Sequence, residues 1–62
     1  MKLGNPALYI GKETDQHKVN DKIIFMGMGY EYDTPVHVFR NVVNAVVLEL
    51  NENEFNWMEE NK

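Results

Sequence analysis

Residues 36–50 decide what this chain can fold into. As extended backbone, Val36, Val38, Val42, Val46, Leu48 and Leu50 fall on the even positions, so six of eight are apolar. As a helix, Val36, Phe39, Val43, Val46, Val47 and Leu50 form one stripe. Thr34 would then be its N-cap and Pro35 its first helical residue. The segment holds six valines and two internal asparagines, Asn41 and Asn44, all weak helix formers. Valine is restricted in a helix by its branched Cβ and suits a strand. Two strands, about 35–40 and 45–50, are therefore expected, with a turn between the asparagines. One helix over about 35–50, giving an α+β fold, is the alternative.

The rest of the chain reads as strands and turns. Ala7-Leu8-Tyr9-Ile10 is a short apolar run closed by Gly11. Lys12 to Asp21 is polar apart from Val19 and reads as a long loop, with a turn signal at Asn20-Asp21. Ile24, Met26, Met28, Tyr30 and Tyr32 share one parity, which predicts a long strand over 23–32. Gly27 and Gly29 lie on its other face and suggest a bulge or barrel bend. Asp33-Thr34-Pro35 reads as a turn. Asn51 to Glu54 fits one helical turn, and Phe55 to Met58 a last short strand with Phe55 and Trp57 on one face. The ends, Met1–Pro6 and Glu59–Lys62, read as frayed.

That order resembles the SH3-like small barrel, over about residues 7–58. Ala7-Leu8-Tyr9 looks like the first half of the ALYDY motif of SH3 domains, and Lys18-Val19-Asn20-Asp21-Lys22-Ile23 is similar to the string that opens their second strand. Ile10-Gly11 replaces the second half of the motif, and the paired tryptophans and the closing PxNY string are absent. Proline-rich peptide binding is thus not implied. The chain is more similar to the short SH3-like or KOW-like barrels of phages and prophages of low-GC bacteria, which often end in a string such as Glu54-Phe55-Asn56-Trp57. The resemblance implies an all-β, five-stranded SH3-like small barrel.

A single domain spanning 1–62 is all the length admits, with an ordered core at about 7–58. A domain of this size buries only about 60% of the surface of its unfolded chain, which leaves little room for a deep cleft. Cysteine is absent, so no disulfide framework or thiolate zinc site is expected. Apolar runs such as Ala45–Leu48 are far shorter than a membrane span, and no signal-peptide core follows Met1. A cytoplasmic protein is expected.

The same elimination narrows the chemistry. The chain has no serine, and Thr14 and Thr34 are its only aliphatic hydroxyls. A nucleophile–histidine–acid triad is therefore improbable. His17 and His37 lack metal-ligand spacing and read as ordinary surface histidines. Glu31 with Asp33, and Glu52 with Glu54, read as exposed carboxylates. Catalytic, metal and cofactor-binding residues are all expected to be none.

Binding by surface remains. Residues 1–22 carry a net charge of +1 and residues 23–62 a net of −5. Five glutamates and no base lie between Glu49 and Glu60. This balance opposes nucleic-acid binding, which Lys12, Lys18 and Lys22 alone could support. Tyr9, Tyr30, Tyr32 and Trp57 are candidates for an aromatic interaction patch, and Glu49, Glu52 and Glu54 for an acidic one. A non-enzymatic interaction module, of phage or prophage type, that binds a host protein is the leading reading. A nucleic-acid-binding barrel is the second. The third is an assembly subunit that forms a homo-oligomer through open strand edges.

Overall fold

A computed structural model describes residues 3–58. The expected fraying of Met1, Lys2 and Glu59–Lys62 lies outside these residues. Five strands form: β1 (Pro6–Tyr9), β2 (Lys22–Glu31), β3 (Thr34–Asn41), β4 (Val47–Leu50) and β5 (Phe55–Trp57). A single 3₁₀ turn, Glu52–Glu54, connects β4 to β5. The valine-rich segment is thus two strands, and the helical alternative over about 35–50 is overturned. The branched side chains pack across a pleated surface, and the asparagine-flanked stretch between them makes the reversal.

The strands make one antiparallel sheet in the order β4-β3-β2-β1-β5. The fold is all-β, and β4 and β5 are its two edges, unpaired with one another. Among the described residues no helix is long and apolar enough to cross a membrane.

The inner face carries the core: Ala7, Tyr9, Ile23, Phe25, Phe39, Leu48, Leu50 and Phe55 are buried, and Trp57 packs against them half-buried. Phe39 is fully enclosed, with ring centroids 4.7 Å from Phe55, 5.5 Å from Phe25 and 5.6 Å from Trp57. Tilted and edge-on contacts of this kind add to the area that the rings bury.

The chain's long strand does not keep one face to the core. Phe25 pairs with Phe39, but Gly27 pairs with Val38 and Met28 with His37, so Met26 is an extra residue in β2. Gly27 takes φ +123°, backbone that glycine adopts without strain. Before the bulge the odd residues Ile23 and Phe25 face inward. Beyond it the even residues Met28 and Tyr30 lie on the side of His37 and Phe39, because one inserted residue inverts the alternation, while Val36 is buried on the other side of the arm. The stripe of Ile24, Met26, Met28, Tyr30 and Tyr32 is therefore not a single face and not the core. Met26, Met28, Tyr30 and Tyr32 are all exposed.

The turn after β2 also differs from expectation. Its centre is Tyr32-Asp33, while Thr34 and Pro35 already belong to β3. Tyr32 has φ +57°, the positive value that the mirror-image hairpin turns require at their first central residue.

The long loop is tied down rather than loose. Thr14 Oγ1 accepts the backbone N–H groups of Gln16 and His17, both at 3.1 Å, and Glu13 accepts that of Val19. Asn20 sits at φ +75°, as its turn role predicts, and donates its backbone N–H to the Tyr9 carbonyl at 2.6 Å.

Candidate functional site

The bulge directs the second half of β2 away from the main body of the sheet. β1 pairs with β2 only at Lys22–Ile24, and β4 pairs with β3 only at His37–Arg40. Residues 27–36 therefore form a two-stranded arm that extends past both neighbours. Its inner face continues the line of the core but has too little above it to be covered. Met28 is 53% exposed and Tyr30 73%, and Pro35 opposite Tyr30 is exposed as well. Tyr32, at the tip, is 95% exposed.

An open groove runs along this face between the arm and the 3₁₀ turn. Met28, Pro35, His37, Asn51, Glu52 and Asn53 line it. Its continuation is walled by Phe55 and Trp57, with Glu52 at the rim. His37 forms the floor of both parts. It is buried and packs on Phe25, Phe55 and Trp57, with centroids at 5.8, 5.0 and 6.2 Å. The reading of His37 as a surface residue is thus corrected: its place on the inward parity of β3 puts it against the aromatic core.

The electrostatics of this end are one-sided. Glu31 and Asp33 stand exposed on the arm and Glu52 on the groove. Arg40 is the one lysine or arginine between Met26 and Trp57. It pairs with Ile24 and Val47 on the outer face of the sheet, away from the groove.

The candidate residues separate accordingly. Tyr30 and Tyr32 lie on the arm and Glu52 on the groove beside it. Tyr9 does not join them: it is 5% exposed, sits in the core, and donates its hydroxyl to the Lys12 carbonyl at 2.5 Å. Burial, with the charge of Glu54 second, pushes its phenol up from the ordinary value. Trp57 lines the far part of the groove rather than an exposed patch. Glu54 is half-buried and accepts the backbone N–H of Asn51 at 2.9 Å, so it holds the 3₁₀ turn. Glu49 alternates with the buried Leu48 and Leu50 and lies on the outer face. Met28, Pro35 and His37 were not among the expected binding residues. Met28 shares the parity of Tyr30, and the hairpin register, Met28 opposite His37 and Tyr30 opposite Pro35, brings the other two onto that face.

A second polar centre lies at the opposite end. His17, only 8% exposed, is not the surface histidine its sequence context suggests. Its Nδ1 is 2.9 Å from Nδ2 of Asn41, which is fully buried. The same amide nitrogen donates to Asp21 Oδ2 at 3.0 Å, and Asn41 Oδ1 accepts the Val43 backbone N–H at 2.8 Å. The Lys18 backbone N–H donates to Asp21 Oδ2 at 3.0 Å. These bonds clasp the long loop to the β3–β4 turn. Among the described residues no cluster of histidine and acidic side chains is arranged to hold a metal ion.

No family model, curated protein or solved structure matches this chain.

Proposed function

We propose that this chain is a non-enzymatic interaction module that binds a protein partner through the exposed face of the β2–β3 arm. The observation that carries the reading is the line Met28, Tyr30 and Pro35, exposed apolar side chains continuous with a groove floored by His37. Isolated exposed apolar residues are ordinary, but a contiguous patch beside a groove marks an interaction site. Tyrosine and methionine are enriched in interface cores, because they give large contact area at low entropic cost.

The finer reading is an SH3-like small barrel of phage or prophage type, acting in the cytoplasm on a host protein. The meander order, the strand shared between two sets of neighbours and the 3₁₀ turn before the last strand support the barrel. The lack of serine and cysteine supports a role without catalysis.

The test is site-specific photo-crosslinking in the cells that make the protein. A benzophenone side chain at position 30 is expected to capture one discrete partner. The same group at position 43, exposed in the β3–β4 turn at the opposite end, is expected to capture none. No adduct at position 30, or the same adducts at both positions, overturns the reading.

A further inference from the structure

We infer that the backbone edge of β2 at residues 27–31, beside which no strand lies among the described residues on the β1 side, accepts an extended basic segment of the partner as an added strand. The inference rests on the reading above and names how the partner binds.

β2 is ten residues long, but its neighbour on the β1 side ends early. The last bonds there are Gly4 N–H to the Phe25 carbonyl at 2.8 Å and Phe25 N–H to the Asn5 carbonyl at 2.9 Å. Among the described residues no strand lies beside 27–31 on that side. A strand paired on one side only turns every second N–H and C=O outward, which is a template for another strand.

The arm's two free sides are not equivalent. The side of β3 beyond β4 carries Pro35, which has no N–H to offer and blunts that edge. Gly27-Met28-Gly29-Tyr30-Glu31 has neither proline nor lysine, the usual guards of an exposed edge. Two of its residues have no side chain to obstruct an approaching backbone. The nearest atom to a side chain placed at Gly27 would be Leu3 Cδ2, at 3.6 Å.

Charge selects the occupant. Glu31 and Asp33 flank the edge and Glu52 faces the groove, with no lysine or arginine from Met26 to Phe39. Pairing with a second copy would bring two acidic arms together. A basic strand instead meets complementary charge, and the aromatic wall of Phe55 and Trp57 beside Glu52 suits a cationic side chain.

The experiment is amide hydrogen exchange and light scattering on the whole chain. The probe is a synthetic peptide of alternating lysine and valine. It is compared with the same peptide N-methylated at every second amide, in either phase, and with a glutamate–valine peptide. The lysine peptide is expected to protect outward amides within 27–31. One methylated phase is expected to bind at least about tenfold more weakly, since its backbone bonds are lost. The glutamate peptide is expected to bind only the Glu31→Lys/Asp33→Lys variant. Equal binding of both methylated peptides, absence of protection at 27–31, or a dimer of the free protein that already protects this edge overturns the inference. A crosslink at position 30 without edge protection sinks the added strand and leaves the interaction surface standing.

Discussion

Nδ2 of Asn41 lies 2.9 Å from Nδ1 of His17, and the surrounding bonds fix which atom donates. Val43 presents an N–H to Asn41 Oδ1, and Asp21 presents a carboxylate to Nδ2. Turning the amide over would set donor against donor and oxygen against oxygen. His17 Nδ1 is therefore the acceptor, and the ring carries its proton on Nε2. Long-range proton–nitrogen NMR should find that tautomer. A proton on Nδ1 at neutral pH would refute the assignment.

Asn41→Ala should destabilise the fold by roughly 2–3 kcal/mol, because it strands the Val43 N–H and unties a buried network. Urea unfolding measures this directly. A loss under about 0.5 kcal/mol would mean that the clasp contributes little beyond what an ordinary surface residue does.

Asp21 links the clasp to pH. Its carboxyl is held below the ordinary value of 3.8, first by the Lys18 backbone N–H and then by the Asn41 amide, against an opposing effect of burial. The folded chain thus favours the ionised form more than the unfolded chain does. That preference stabilises the fold above the unfolded value and is lost as pH falls through the lower folded one. The stability gap between the native protein and Asp21→Asn should be open at pH 7 and should close below about pH 4. A gap that persists unchanged into acid would place the origin of the effect elsewhere.

The bulge predicts unequal glycines. A Cβ on Gly27, at φ +123°, would meet only Leu3 Cδ2 at 3.6 Å, an ordinary contact, so it costs backbone strain alone. Gly29 lies outside the left-handed region, and its Cβ would meet Val38 Cγ2 at 3.1 Å, a contact that a small side-chain shift relieves. Gly27→Ala should therefore cost about 1–3 kcal/mol and Gly29→Ala less than about 1 kcal/mol. Equal costs by thermal or urea unfolding would argue against a bulge at Met26.

The same residues explain what was legible in the sequence. Residues 36–50 were readable as strands because six valines carry a local preference that needs no partner. The turn at Asn20 and the single helical turn at 51–54 were readable for the same local reason. The inward face of the arm was not. One extra residue at Met26 inverts the parity, and nothing in an alternating stripe marks where an insertion falls. Tyr9 fell outside the expected surface because an aromatic residue suits both a core and an interface. The burial of His17 depends on Asn41, 24 positions away, and only the completed sheet brings the two together.

Tyr32 joins strain to the proposed surface. It occupies φ +57° with a bulky side chain that is 95% exposed, so no packing offsets its backbone conformation. The left-handed region costs a residue with a Cβ roughly 1–2 kcal/mol, and glycine avoids that cost at the expense of some chain entropy. Tyr32→Gly should therefore raise stability by about 0.5–1 kcal/mol in urea unfolding. If the ring is kept at the tip for binding, the same variant should weaken partner capture through position 30 while it stabilises the fold, the opposed pair of effects expected where strain serves function. A stabilised variant that still captures the partner as strongly would remove Tyr32 from the surface and leave Met28, Tyr30 and Pro35 to account for it. A destabilised variant would mean that the ring contributes contacts to the fold itself.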